Sequence, residues 1–103
     1  MKIPNLSHLQ FAVLDCLGSK ELKGRDLRKL LKDEKNVKKQ GPAFYQLMAR
    51  LEDAKLVKSK VEEIDLGENR LKEKIYWLTG EGERAMRETH SFYANSNLGG
   101  VLS

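Results

Sequence analysis

Residues 40–57, QGPAFYQLMARLEDAKLV, restrict the fold more than any other part of the chain. Apolar residues recur there at i, i+3, i+4 and i+7, which is the spacing of a helix that buries one face. They are Phe44, Leu47, Met48 and Leu51. Pro42 suits the first turn of such a helix, because its missing N–H has no helical partner there. The pattern predicts one amphipathic helix that leads directly into a strand.

The opposite side of this helix is expected to face solvent. It carries Ala43, Tyr45, Gln46, Ala49 and Arg50, and two lysines, Lys38 and Lys39, precede its positive end. An aromatic ring, an amide and a guanidinium on one rigid helix are groups suited to read base edges in a DNA groove. An ordinary solvated face has a similar composition, so the rest of the sequence must distinguish the two interpretations.

The distribution of charge favours the nucleic-acid interpretation. At 103 residues the chain has room for one domain and little room for a second core. Its formal net charge of +4 permits nucleic-acid binding without showing it. Residues 20–39 contain nine basic and four acidic side chains, a net +5, and they directly precede the helix described above.

Several other classes of protein are not expected. No apolar run approaches the roughly 20 residues that span a bilayer, and polar residues interrupt the N-terminus at once. The single cysteine, Cys16, has apolar neighbours and is expected to be buried rather than redox-active. His8 and His90 are isolated, so we expect no metal and no cofactor. Phosphate loops and nucleophile elbows are missing, so we do not expect an enzyme. Because neither a bilayer span nor a signal-peptide apolar block is seen, we expect a cytoplasmic protein.

Capping residues predict three further helices. Ser7 with Gln10 forms a capping-box pattern ahead of the first helix, and Gly18 is expected to end it with a left-handed stop. The second helix is expected to begin near Gly24 and to carry basic residues on its outer side. Thr79 is expected to cap the last helix.

Two strands, 56–66 and 70–78, are predicted between the third and last helices. Gly67, Glu68 and Asn69 join them, and Gly and Asn are the residues expected in a tight connection. The order is helix, helix, helix, β-hairpin, helix. This order predicts an α+β, mostly helical fold of the winged helix-turn-helix type, with the hairpin as the wing.

The chain resembles the PadR family of winged-helix transcriptional regulators from about residue 6 to residue 93. LQFAVLDCL and LKGRDLRKLL resemble the first two helices of the family, GPAFYQLMARLEDAKLV its recognition helix, and EKIYWLTGEG its passage from wing to last helix. The resemblance implies a homodimeric repressor that binds double-stranded operator DNA. It also leaves open regulation by a small-molecule effector. The resemblance implies the short form of the family, which has a single C-terminal helix.

Three departures from the family pattern affect the expected site. Residues 40–43 replace the usual Ser-Pro-Gly-Thr, which removes two hydroxyl ligands for phosphate. Lys55 stands where the family has a glycine, which argues against a left-handed stop after the recognition helix. Glu73 replaces a common basic residue of the wing and is expected to weaken its hold on phosphate.

We expect lysines of the second helix and its connector to hold phosphates, while the third helix contacts bases. The expected DNA-binding residues are Lys38, Lys39, Gln40, Tyr45, Gln46, Arg50, Arg28, Arg70, Lys72 and Lys74. Acidic residues interleave with the last three, so a self-neutralising surface ladder is an equal alternative for the wing.

The domain organisation is expected to comprise a winged-helix domain over 1–79, a dimerisation helix over 80–95 and a flexible tail over 96–103. An apolar stripe on the last helix is expected to pair with a second copy and consists of Ala85, Met86, Thr89, Phe92 and Tyr93. Packing of this stripe on its own domain is the alternative. The alternative function is a winged-helix protein-interaction module that does not bind DNA.

Overall fold

The computed structural model describes residues 6–39 and 41–102, and for residues 93 and 95–102 it describes the backbone alone. The described elements follow the predicted order, with one short strand added. In chain order they are α1 (His8–Leu17), β1 (Leu22–Lys23), α2 (Gly24–Lys35), α3 (Gly41–Asp53), β2 (Val57–Leu66), β3 (Asn69–Leu78) and α4 (Gly80–Leu102). The fold is therefore α+β and mostly helical, a winged helix as predicted.

The capping box at the start of α1 is confirmed. The Ser7 hydroxyl accepts the Gln10 backbone N–H at 3.0 Å, and the Gln10 side-chain oxygen accepts the Ser7 N–H at 3.1 Å. Gly18 ends the helix with a φ of 53°, the sign that the predicted stop requires. Its ψ of −129° nevertheless differs from that of the left-handed helical region, so this stop is of another kind than expected.

The sheet has three antiparallel strands in the order β1-β3-β2. β2 and β3 pair along their full length, from Val57 opposite Leu78 to Leu66 opposite Asn69. The two-residue turn between them contains Gly67 at a φ of 81°. β1 was not predicted, because two residues are too few to show an alternating pattern. It joins the start of α2 to the base of the wing.

The predicted buried stripe of α3 forms part of the core. Phe44, Leu47, Met48 and Leu51 are all buried, and they pack with leucines of α1 and α2 and with Tyr76 of β3. Cys16 is buried as predicted, and its burial raises the pKa of the thiol. A thiol kept protonated in this way is a poor nucleophile.

The end of α3 departs from the expectation. Lys55 adopts a φ of 63°, so a left-handed stop is present even though glycine is not. Two backbone bonds hold this conformation: the Lys55 N–H donates to the Glu52 carbonyl at 2.9 Å, and the Leu56 N–H donates to the Leu51 carbonyl at 3.0 Å. This is the Schellman pattern, in which backbone hydrogen bonds offset the steric cost of a side chain at positive φ.

Thr79 caps α4 as predicted, because its hydroxyl accepts the Gly82 N–H at 3.0 Å. The helix continues to Leu102, past the residue at which we expected it to end. Asn95 and Ser96 are poor helix formers, but unlike proline they do not terminate a helix. Within the described part of the chain, no helix combines the length and apolar character needed to cross a membrane.

Candidate nucleic-acid interface

The exposed face of α3 is the one predicted from the sequence. Ala43, Tyr45, Gln46, Ala49 and Arg50 are all exposed, and Tyr45 has 49% of its surface open to solvent. Successive helical residues are about 100° apart, since a turn contains 3.6 residues. Tyr45 consequently lies on one flank of the exposed face, and Arg50 lies on the other.

Gln46 and Arg50 border a groove between α3 and α1. The other lining residues are Leu9, Lys39, Ala43 and Leu47. The short side chain of Ala43 leaves the backbone of the first turn open to an approaching ligand. Lys39 lies in the same groove as Gln46 and Arg50, two of the three side chains expected to contact bases, whereas the third, Tyr45, lies outside it.

A second groove, which we call the basic groove, lies between α2 and the connector to α3. It is lined by Arg25, Arg28, Lys29, Lys32, Asp33, Lys38 and Lys39. Six cations and one carboxylate converge there. Such a concentration of positive charge attracts polyanions, and it adjoins the entry to α3.

Arg28 holds the connector in place as well as contributing charge. Its guanidinium donates to the Lys39 carbonyl at 3.2 Å and lies 5.9 Å from the centre of the Phe44 ring. Asn36 starts the connector in the left-handed conformation, with φ 55° and ψ 35°. These contacts carry Lys38 and Lys39 towards the start of α3. Gln40, which was expected to contact phosphate, lies outside the described residues.

Tyr45 borders a third groove, here called the wing groove, between α3, the start of α2 and the wing. The wing groove is lined by Lys23, Gly24, Arg25, Tyr45, Lys72, Glu73 and Lys74. The Tyr45 ring meets Phe44 edge-on with centroids 5.4 Å apart, and Phe44 meets Tyr76 in the same way at 6.2 Å. These aromatic contacts orient the phenol beside two wing lysines.

Glu73 has a structural role that the sequence did not indicate. Its carboxylate lies 3.3 Å from the Lys23 ammonium and 3.9 Å from the Arg25 guanidinium. The carboxylate is largely shielded, with 17% of the side chain exposed. It therefore joins β3 to the start of α2, which explains an acidic residue in a position where the family often has a basic one.

The three cations expected in the wing alternate along β3. Arg70 stands opposite Asp65, Lys72 opposite Glu63 and Lys74 opposite Val61. Two of the three thus have a carboxylate as their direct cross-strand neighbour. Within the described part of the chain, none of these pairs closes to an ion pair of 4.0 Å or less. The DNA-contact and ladder interpretations of the wing both remain compatible with this arrangement.

The residues expected to mediate dimerisation lie on α4, which packs against α1. Ala85 and Met86 are partly buried against the core of their own domain, and Thr89 is 5% exposed. The Thr89 hydroxyl donates to the Ala85 carbonyl at 2.7 Å. Phe92 is partly buried, and the side chain of Tyr93 lies outside the described residues.

A charged junction connects α1, α2 and α4. Asp15 pairs with Lys35 and lies 2.7 Å from the Nε2 atom of His90. Partial burial acts to raise the pKa of Asp15, but the hydrogen bonds to Lys35 and His90 lower it below its ordinary value. The bond to Asp15 raises the pKa of Lys35. The junction thus favours the charged forms of Asp15 and Lys35 and fastens α4 to the two helices.

Two cations of the wing groove were not among the expected DNA-binding residues. Lys23 and Arg25 reach this groove because β1 pairs with β3 at Ile75 and Tyr76. The high basic content of residues 20–39 was the available signal, but it did not indicate which cations approach the wing. Among the described residues, no group of three or more His, Cys, Asp or Glu side chains is placed to hold a metal ion.

The family model and the solved structures that match this chain agree with one another. The model of the transcriptional regulator PadR-like family matches residues 13–88. The structure is similar to a PadR-like transcription factor from Bacteroides fragilis, with 25% identity, a TM-score of 0.74 and coverage of 86% of this chain and 82% of that chain. It is also similar to a PadR family transcriptional regulator from Eggerthella lenta, with 29% identity, a TM-score of 0.69 and coverage of 92% and 81%.

A further similar structure contains DNA. Bacillus subtilis PadR in complex with operator DNA has 23% identity and a TM-score of 0.67, with coverage of 79% of this chain and 45% of that chain. Comparison with curated protein sequences gave no match.

Proposed function

The chain belongs to the PadR-like family of transcriptional regulators, and we propose that it binds double-stranded DNA sequence-specifically, as a homodimeric repressor. The observation that carries this proposal is the position of α3. Its exposed polar face borders the wing groove at Tyr45. On its other flank, Gln46 and Arg50 line a groove that also contains Lys39, a cation of the basic groove. A recognition helix that inserts into the major groove needs cations on both sides, because the phosphate backbones rise on both sides of it.

The proposed base contacts come from Gln46 and Arg50. A guanidinium pairs bidentately with guanine and an amide with adenine, and each good pair is worth about 1–3 kcal/mol of discrimination. Ala43 and Ala49 are small, which lets the helix backbone approach the floor of the groove. Tyr45 lies beside the wing lysines and is assigned to the sugar–phosphate backbone at the edge of the site.

The proposed phosphate contacts come mainly from the basic groove. Lys29, Lys32 and Lys38 are exposed and have no ion-pair partner within 4.0 Å among the described residues. Phosphate contacts fix the register of a protein on the duplex, whereas base contacts specify the sequence. Bacillus subtilis PadR, which has a similar fold, is itself solved in complex with operator DNA.

The proposed dimer contact is the outer side of α4. Ala85 and Met86 are partly buried against their own domain and Thr89 is buried, so we assign the pairing to the remainder of the helix. A symmetric dimer matches two half-sites about one helical turn apart. Occupancy of a promoter by such a dimer excludes polymerase, and an effector that changed the α4 pairing would change the spacing of the two α3 helices.

The test is selection of bound duplexes from a random pool, followed by a salt titration of the selected duplex. Neutralised phosphates predict a slope of log affinity against log salt of about −0.9 per contact. Arg50→Ala should lower the affinity of the protein for the selected duplex by roughly tenfold or more, and it should relax the protein's sequence preference. Arg87→Ala removes an equal charge from the exposed side of α4 and is the matched control. A flat salt response would reject DNA binding, and an unchanged preference in Arg50→Ala would reject the base contact.

The oligomeric state is tested by light scattering at micromolar concentration. We expect the mass of a dimer, about twice the 11.8 kDa of one chain. The mass of a single chain would reject the proposed homodimer without affecting the DNA-binding assignment.

One observation favours the alternative of a protein-interaction module. Leu66 and Leu71, at the tip of the wing, are 58% and 49% exposed. Four nearby carboxylates, those of Glu62, Glu63, Asp65 and Glu68, repel a phosphate backbone. An apolar surface of this kind fits a protein better than a duplex. If no duplex is enriched by the selection, this second function becomes the better supported one.

A further inference from the structure

The two faces of the wing differ in how they relate to α3. Directly paired residues of antiparallel strands lie on the same face, and successive residues alternate between faces. The inner wing face therefore comprises Val61, Glu63, Asp65, Arg70, Lys72 and Lys74. Tyr76 shares this face with Lys72 and Lys74, and its ring meets Phe44 of α3 edge-on, so this is the face that a duplex seated on α3 would meet. Glu62 and Glu73 lie on the opposite, outer face.

The cations of the inner wing face are not equivalent. Lys72 has Glu63 as its direct cross-strand neighbour, Arg70 has Asp65, and Lys74 has the uncharged Val61. Side chains in such pairs start about 5 Å apart at their Cβ atoms. This separation is shorter than the Debye length of about 8 Å at physiological salt, so each carboxylate acts on any phosphate that approaches its neighbour.

The carboxylate of Glu63 forms no ion pair of 4.0 Å or less with the described residues. Glu73 on the outer face pairs with Lys23 and Arg25, but the ion pairs recorded for the described residues do not include Glu63. Glu63 is exposed and can follow the ammonium of Lys72. Asp65 differs, because its carboxylate accepts the Gly67 N–H at 3.1 Å and stabilises the turn.

We propose that Glu63 is a specificity-determining residue that shields Lys72 from DNA phosphate, so that Lys74 is the principal phosphate-binding residue of the wing. This inference rests on the proposed DNA binding. Non-specific binding depends on phosphate contacts, so the shield limits attachment to unrelated DNA and leaves selection to α3. Glu63 is thus an acidic residue that disfavours binding to unrelated DNA within an otherwise basic interface.

The experiment measures the affinity of the full chain for an unrelated 20-base-pair duplex over a range of salt concentrations. Glu63→Gln should bind roughly threefold to tenfold more tightly at 0.1 M salt, with a slope steeper by about 0.9, because one phosphate contact is added. Glu62→Gln removes the same charge from the adjacent residue on the outer face and is the matched control. Both side chains are exposed, so neither substitution removes a buried contact.

Two lysine variants separate the shield from a general effect of charge. Lys74→Ala should make the wild-type slope shallower by about 0.9, whereas Lys72→Ala should leave it nearly unchanged. In the Glu63→Gln background, Lys72→Ala should restore the wild-type slope. The proposal would be wrong if Lys72→Ala alone made the salt slope shallower by about 0.9, the loss of one phosphate contact. It would also be wrong if Glu62→Gln and Glu63→Gln had equal effects. A wild-type protein without salt-dependent DNA binding would overturn the proposed function itself, and the two failures are thus distinguishable.

Discussion

Gly82 and Leu56 approach so closely that no side chain fits between them. A Cβ atom built on Gly82 would lie 2.0 Å from the Leu56 carbonyl oxygen, well inside any contact distance that real Cβ atoms show. This contact places the first turn of α4 directly on the connector from α3 to the wing. The connector that follows α3, the proposed recognition helix, is therefore also in contact with α4, the proposed dimerisation helix.

Gly82→Ala is therefore expected to destabilise the protein by about 1–3 kcal/mol, because backbone cannot move aside as a flexible side chain can. Urea denaturation followed by circular dichroism measures the change. Gly80→Ala is the control, since a Cβ at Gly80 meets nothing within 4 Å. If the two variants are equally stable, the contact between Gly82 and Leu56 can open without destabilising the protein.

The Thr79 hydroxyl connects the same two segments in a second way. It donates to the Lys55 carbonyl at 2.7 Å and accepts the Gly82 N–H at 3.0 Å. Thr79→Ala removes a helix cap and leaves the Lys55 carbonyl without this donor, so we expect a loss of about 1–2 kcal/mol in the free energy of unfolding. Thr79→Ser keeps the hydroxyl and should retain most of the stability. If thermal unfolding of Thr79→Ser matches that of Thr79→Ala, the hydroxyl is not the stabilising group.

The parts of the fold that depend on local chemistry were predictable from the sequence. The stripe from Phe44 to Leu51 and the Ser7 capping box involve residues close together in the chain, and both are confirmed. β1 carries too few residues to show a pattern. The conformation of Lys55 was also missed, because residue type alone suggested glycine while backbone bonds to Leu51 and Glu52 determine the turn.

The candidate site was predictable only in outline. The exposed face of α3 followed from helical periodicity, but the partners of individual charges depend on pairings that are distant in sequence. Glu73 lies about 50 residues from Lys23, and the contact requires the register between β1 and β3. Arg28 was expected to contact phosphate. Its half-buried position and its hydrogen bond to the Lys39 carbonyl are seen only in the structure.

The junction of Asp15 with Lys35 and His90 predicts a dependence of stability on pH. The folded-state pKa of Asp15 is lowered, so its contribution is fully present above the unfolded value of about 3.8 and is lost as pH falls through the lower folded value. The raised pKa of Lys35 gives a contribution that is lost only above its ordinary value of 10.5. The contribution of the Asp15–Lys35 pair is therefore intact between about pH 4 and pH 10.

Asp15→Asn should accordingly lower the free energy of unfolding at pH 7 by about 1 kcal/mol, the upper range for ion pairs at a surface. The difference from wild type should begin to shrink as the pH falls below 3.8, because the carboxyl of the unfolded chain then takes up a proton while that of the folded protein is still charged. It should close once the pH has fallen through the lower folded pKa. Denaturant titrations at pH 3 and pH 7 measure this. Asp33→Asn, a substitution at an exposed residue of α2, is the control. A difference that is the same at both pH values would indicate a packing effect rather than ionic pairing.

Arg28 provides the last prediction, because its contacts favour a positioning role over the direct phosphate contact expected from the sequence. Arg28→Lys keeps the charge but loses the fork that reaches the Lys39 carbonyl and covers the Phe44 ring. We expect it to weaken DNA binding by roughly threefold to tenfold with an unchanged salt slope, since the number of phosphate contacts stays the same while the connector loosens. Lys29→Ala, one residue along α2, should instead make the slope shallower by about 0.9. Full affinity in Arg28→Lys together with a shallower slope in Arg28→Ala would identify Arg28 as a direct phosphate ligand.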